Sequence, residues 1–383
     1  MIETLKKTFI FFIIFCLGLG LLAVLTACIK TEETVAITDG TNTDNTNTSG
    51  TTTYGTVTGD SAQDDSGTAQ DSAESGVPLP PDEANGVFVL DDFAYLADYK
   101  AGLQVFDVSD KKKTGKIAEF SLPGDAMDIF INKDTAFIAC GYAGLQIADI
   151  SNLKDIKIIS SFSADDKEIY DGYSKRIAFR DDVVFLADSS GGLKIIDVKN
   201  TAKPQLISTY ISPNNGYITD VQVRDDFAFL ADDRVGLAIV DISDLKDPQL
   251  ASFISTDGMS AGLALQTNDG TAGDTGKVNS SNSPYLFLAD YRNGIRIIDI
   301  SDISKPVITG TYDGIHHAVS IGVSGNLLFA ADYDAGLVVI DWTNENKPIL
   351  KTSYDIGKTN DVFIYNGYVY AAGKKDLSIY EIE

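Results

Sequence analysis

The sequence predicts an all-β fold, and three observations predict it. One block repeats along the chain: "FLADYRNGIRIIDISDISKP" (Phe287–Pro306) is nearly the same as "FLADDRVGLAIVDISDLKDP" (Phe229–Pro248). Its apolar runs are rich in β-branched and aromatic residues and are bounded by Asp, Gly and Pro, which is the signal of short strands. No 3.6-residue apolar periodicity runs through the repeats, so no helices are expected there.

The block occurs at Leu96–Asp107, Ile138–Asp149, Leu186–Asp197, Leu230–Asp241, Leu288–Asp299 and Ala330–Asp341, with a worn seventh copy at Tyr370–Glu383. A period of roughly forty residues marks a tandem-repeat architecture. The fourth unit shows the plan. "DVQVR" (Asp220–Arg224) reads as strand one, Asp225-Asp226 as a turn, and "FAFLA" (Phe227–Ala231) as strand two. "DDRVG" turns the chain, "LAIVDI" (Leu237–Ile242) is strand three, and "PQLASFI" (Pro248–Ile254) is strand four.

The punctuation has physical causes. The turn glycine before strand three (Gly102, Gly144, Gly192, Gly236, Gly294, Gly336) is expected at positive φ, where a Cβ is penalised. The Asp closing strand two and the Asp closing strand three are expected to hydrogen-bond backbone two residues on, as Asx-turns. Pro204, Pro248, Pro306 and Pro348 open strand four. Proline cannot donate to a ladder, so strand four is the outer edge of each unit. Four-stranded antiparallel units in tandem predict a seven-bladed β-propeller. First strands are expected near Gly86, Asp128, Arg176, Asp220, Gly262, Ser320 and Asp361. The last unit ends after its third strand. "SGVPLP" (Ser75–Pro80) is expected to supply the missing edge and close the ring.

The front of the chain is different material. Lys6 and Lys7 precede an apolar stretch from about Phe9, and small residues follow before Cys28. This is the pattern of a secretory signal over residues 1–27, although the apolar stretch is also long enough to span a bilayer. Residues 28–75 are rich in Thr, Ser, Asn, Gly and Asp. With little to bury, this segment is expected to be a disordered tether spanning roughly 40 Å. The same composition suits a glycosylated stalk. The propeller is assigned to residues 76–383. Leu25-Thr26-Ala27-Cys28 resembles the lipobox of bacterial lipoproteins. That resemblance implies cleavage after Ala27, acylation of Cys28, and attachment to a lipid bilayer outside the cytoplasm, stable because it uses two acyl chains.

The formal charge is −25, which excludes the basic footprint of a nucleic-acid binder. Cys140 is the one cysteine left after Cys16 and Cys28 are accounted for, so no internal disulfide is expected. It stands where other repeats carry the Asp that closes strand two.

The repeats "GLQVFDVSD", "GLKIIDVKN", "GLAIVDISD", "GIRIIDISD" and "GLVVIDWTN" resemble the LVIVD repeat of surface-associated bacterial and archaeal proteins. The resemblance covers about Gly86 to Glu383 and implies a β-propeller. It implies little about activity, because propellers host many functions.

No Gly-x-Ser-x-Gly elbow or Walker loop is present, and no catalytic residue, metal ligand or cofactor is assigned. The recurring Asp residues are read as turn residues held apart by successive blades rather than as a calcium site. The two-to-three turns and the links from strand four to the next strand one share one face of a propeller. That face is expected to carry Tyr99, Lys100, Tyr142, Tyr170, Tyr173, Arg234, Tyr291, Arg292, His316 and Tyr333. Tyr and Arg are favoured in binding hot spots. The reading is a monomeric, envelope-anchored propeller that binds a protein or saccharide ligand. The alternatives are an extracytoplasmic hydrolase or lyase acting on saccharide, or a structural subunit of an envelope complex. A close constellation of carboxylates or histidine at the channel mouth would favour the enzyme, and a broad Tyr/Arg patch would favour binding.

Overall fold

A computed structural model describes residues 83–163, 172–213, 215–266, 283–374 and 376–382. The expected signal peptide with Ala27, the expected acylation site Cys28, the expected tether, the expected closing segment at 75–80, and Tyr170 lie outside the described residues. The rest is a seven-bladed β-propeller. Blade one is β1 (Ala84–Leu90), β2 (Phe93–Asp98), β3 (Gly102–Asp107) and β4 (Gly115–Phe120), antiparallel and in sequence order. Blades two to six repeat that order over residues 128–162, 176–210, 218–255, 262–312 and 318–354. Among the described residues, blade seven has three strands: β25 (Thr359–Tyr365), β26 (Tyr368–Gly373) and β27 (Asp376–Glu381).

The expected turn chemistry is present. Asp232 Oδ1 accepts from the backbone N–H of Arg234 at 2.9 Å and of Val235 at 3.1 Å. Asp98 and Asp332 do the same in their blades. After strand three, Asp107, Asp149, Asp241 and Asp299 each accept from the N–H two residues on. Gly236 has φ +107°, and a Cβ there would lie 2.5 Å from the Ile254 carbonyl oxygen. Turn and strand-four edge are therefore in backbone contact, so both the backbone angle and the available space require glycine.

The first strands surround the centre. They are β1, β5 (Asp128–Asn132), β9 (Arg176–Arg180), β13 (Ile218–Arg224), β17 (Gly262–Leu265), β21 (Ala318–Ser324) and β25. Each neighbours the next, and β25 returns to β1. In blades one, four, six and seven the first strand begins two residues earlier than expected. A bulge at Asn85, Thr219, Val319 or Asn360 shifts its register, and a bulge re-aims side chains at a strand end.

The core lies between blades. An aromatic ring sits at the middle of every second strand: Tyr95, Phe137, Phe185, Phe229, Phe287, Phe329 and Tyr370, all buried. Each inter-blade interface has its own apolar cluster. One of them joins Val87 and Leu96 of blade one to Tyr370 and Ala372 of blade seven. Phe88 meets Phe363 across this seam at 4.9 Å, and Lys358 pairs with Glu83. Blades pack face to face, so this seam closes the circle through inner strands and core. Each of these rings packs into one inter-blade interface, and truncating it there costs about 3–5 kcal/mol.

Candidate functional site

At one aligned position in or near the first residues of each first strand stand Gly86, Asp128, Arg176, Asp220, Gly262, Ser320 and Asp361, one per blade. Three of these are carboxylates, and they converge on the one cation. Arg176 Nη1 lies 3.2 Å from Asp361 and 3.6 Å from Asp128, and Asp220 also stabilises its charge. The Asps read as held apart by successive blades were the repeated turn Asps; those near the strand starts are a separate set, which the ring geometry brings together around Arg176.

Each carboxylate also holds the next blade. Asp361 Oδ2 accepts from the Val87 N–H at 3.0 Å, Asp128 Oδ2 from Ile177 at 2.8 Å, and Asp220 Oδ2 from Leu263 at 2.7 Å. Ser320 donates to the second oxygen of Asp361 at 2.6 Å. The bulged residues stitch one step further out. The Asn360 amide donates to Ala84 O, the Asn85 amide to Ala126 O and the Thr219 hydroxyl to Ser260 O. Burial pushes Asp128 up to about 7 and Asp220 up to about 6, against the pull of Arg176. The three neighbouring carboxylates raise Arg176 despite its own desolvation. This cluster is an inter-blade lock, with its polar atoms committed to protein partners.

The surrounding face carries aromatic clusters. In the first, the Tyr142 and Tyr173 rings meet edge to face at 4.8 Å. The Tyr173 hydroxyl donates to Asp125 at 3.0 Å. Desolvation, then Asp125 and then the nearby Tyr99 raise the Tyr173 pKa, so it stays a neutral phenol. Tyr173 lies on the backbone at Gly141, where a Cβ would meet its ring at 2.8 Å. The second cluster sets Arg234 over Tyr217 at 5.2 Å. The third stacks Tyr291 on His317 at 4.7 Å, with His317 bonded to Asp334. In the fourth, Lys358 stands 4.0 Å over the Tyr333 ring.

Of the expected residues, Tyr99, Tyr142 and Tyr173 share one cluster, while Arg234, Tyr291 and Tyr333 belong to three others. Arg292 and His316 are exposed on the same face. The histidine that stacks is His317 rather than His316, which is exposed; both lie in the bend before β21. Asp125, Tyr217, His317 and Lys358 were not expected; each sits in a link before a first strand, a position the repeat pattern marks only by its glycine. Cys140 is fully buried and free, and burial pushes its thiol up to about 12, which makes it inert. Among the described residues no group of three or more His, Cys, Asp or Glu is placed to hold a metal. On the opposite face a cavity of about 310 Å³ borders Arg224. That guanidinium is held by the Ser283 carbonyl at 2.9 Å and the Phe229 ring.

Fold and face together define a repeat-built propeller with a tyrosine-bearing surface around a locked centre. The chain belongs to the LVIVD-repeat family, whose repeat matches residues 82–113, 123–163, 171–212, 215–256, 272–314, 316–356 and 356–382. A search of curated proteins returns no match. Among solved structures, virginiamycin B lyase from Staphylococcus aureus is similar at 16% identity and a TM-score of 0.58. That match covers 78% of this chain and 94% of the lyase. The computationally designed Ika8 protein is similar at 11% identity and a TM-score of 0.56, covering 79% of this chain and 97% of Ika8. At these identities the likeness is one of fold.

Proposed function

We propose that this protein is a lipid-anchored binding module of the cell envelope, held through Cys28, with its tyrosine-bearing face turned to a protein or saccharide ligand. One observation carries the reading. The aromatic and cationic side chains gather on one face in four clusters, whereas the central carboxylates are bound to backbone and to Arg176. Tyr and Arg give large contact area with few rotatable bonds. The tether would let that face reach past the bilayer surface.

An enzymatic reading is favoured by one feature, the Asp128 carboxyl near neutrality, where a general acid or base operates. Asp128 is nonetheless buried, and its oxygens meet the Ile177 N–H and Arg176. Its raised pKa follows from desolvation in a structural lock.

The test is cross-linked capture from the native envelope. A triple substitution of exposed face residues (Tyr142→Ser, Arg234→Ser, Arg292→Ser) is compared with an outer-edge control (Leu250→Ser, Phe253→Ser). Loss of captured material with the face variant alone supports the reading. Unchanged capture with the face variant overturns it.

A further inference from the structure

We propose that Asp232, Tyr210 and Ser212, at the interface of blades three and four, hold an alkali-metal cation, with the Asp232 carboxylate as counter-charge and the two hydroxyl oxygens as neutral ligands. The site lies beneath the tyrosine-bearing face and stands whatever that face binds.

Comparison of the blades motivates it. The Asp that closes strand two is buried in blades one, three, four, five and six, as Asp98, Asp188, Asp232, Asp290 and Asp332. A buried carboxylate is costly unless it is paired. Three blades supply a partner from one position, the second residue after the turn glycine. Gln104 Nε2 donates to Asp98 Oδ2 at 3.2 Å. Burial raises Asp188 to about 6, and Ser174 and then Lys194 pull against it. Arg296 Nε donates to Asp290 Oδ2 at 3.3 Å. In blade four the same position is Ala238, too short to reach the carboxylate. Blade six has Val338 there, but no oxygen of Asp332 is left both buried and without a partner.

Asp232 is fully buried. Its Oδ1 is committed to the Arg234 and Val235 N–H groups, and its Oδ2 has no hydrogen-bond partner in the protein. Tyr210 and Ser212 are 7% and 2% exposed, and their hydroxyls also have no partner. Tyr210 ends strand four of blade three and packs in the same apolar cluster as Ala238 and Ile218 of blade four. Burial and then the charge of Asp232 push its phenol up to about 12, so a carboxylate and a neutral hydroxyl share one electrostatic environment. Ser212 opens a tight turn, closed by the Asn215 N–H on its carbonyl at 3.2 Å. That turn leads into Gly216, where a Cβ would collide with both Asp232 carboxylate oxygens. The backbone therefore covers the carboxylate closely.

Charge and size select the ligand. The three side chains offer one negative charge and two neutral oxygens, which one monovalent cation balances. Calcium takes six to eight oxygens, and magnesium demands a near-ideal octahedron. The close cover at Gly216 favours a bare ion over an organic ammonium. The chain's net charge of −25 concentrates cations around it. Bound there, the ion does in blade four what Arg296 does in blade five. It also fixes the link that carries Tyr217, over which Arg234 stands.

The test melts the full chain at one ionic strength in sodium, potassium or tetramethylammonium chloride. A ligand of the native state raises stability. Sodium or potassium should therefore raise the melting temperature by about 2 °C or more over tetramethylammonium, and the larger rise names the ion. The NMR line of that ion should broaden with wild type and keep its free width with Asp232→Asn. Ala238→Lys places an ammonium where Lys194 stands in blade three, and it should remove the difference between salts. Equal melting of wild type in all three salts overturns the proposal and makes a buried water the partner of these atoms. A difference that persists undiminished in Asp232→Asn, or in folded Ala238→Lys, overturns it as well.

Discussion

Replacing Arg176 with Met tests the central lock. The guanidinium has Asp361 at 3.2 Å and Asp128 at 3.6 Å, with Asp220 also contributing to its charge stabilisation. Methionine keeps the apolar stem and removes the charge. Three buried carboxylates would then face one another uncompensated. Removing one partner of a buried pair costs about 3–5 kcal/mol, and the network makes the upper end the expectation at pH 8. The carboxylates can escape by protonation, which makes the cost depend on pH. Burial already raises Asp128 to about 7 and Asp220 to about 6. A carboxyl raised on folding binds more protons in the native state. Its stabilising contribution is full below the unfolded value near 4 and is lost as pH rises through the folded value. The wild-type protein should therefore gain stability as pH falls from 8 to 5. The exposed turn Asps, lowered by their Ser and Thr partners, act only below that window. Their contribution is present above the unfolded value and disappears in stronger acid. In Arg176→Met the gain between pH 8 and pH 5 should be larger than in wild type, and adding Asp128→Asn should reduce it. Urea unfolding at both pH values measures this. A loss below about 1 kcal/mol, or one equal at both pH values, would refute the lock.

Gly236→Val should destabilise the domain by about 1–2 kcal/mol or more, because its φ is +107° and a Cβ would meet the Ile254 carbonyl; a melting temperature equal to wild type would contradict this. Deleting residues 29–70 should leave thermal stability nearly unchanged, whereas deleting 29–82 should lower it and promote aggregation, since β27 would keep an open edge. Equal melting of the two truncations would remove any role for residues 71–82 in covering that edge. Cys28→Ser should yield protein without lipid, and absence of an acyl group on wild-type Cys28 by mass spectrometry would refute the anchor.

What the sequence made legible is what depends on neighbours in the chain. The Asx-turn at Asp232, the positive φ of Gly236 and the edge strand after Pro248 are set within a few residues, so the repeat displays them directly. The lock was visible only as strand starts. Asp128, Arg176, Asp220 and Asp361 break the apolar run at one aligned position, and this was the available signal. Their meeting depends on a ring that brings residues from four different blades together. The Tyr142–Tyr173 corner joins a turn of blade two to the link entering blade three, and it depends on Gly141 lacking a side chain. The links entering blades two and four likewise hid Asp125 and Tyr217, because these positions vary between repeats and carry no periodic mark. His317 was displaced by one residue from the expected His316 because both lie in a bend before β21, where no strand alternation marks in the sequence which ring will face Tyr291.

Hydrogen exchange of the folded propeller, with and without isolated envelope, measures the central claim directly. The account predicts protection at the two-to-three turns of the tyrosine-bearing face, residues 98–102, 140–144, 290–294 and 332–336, and in the links at 172–175 and 314–317. Protection confined to the opposite turns at 91–92, 225–226 and 366–367, or to the outer edge at 249–255, would contradict it.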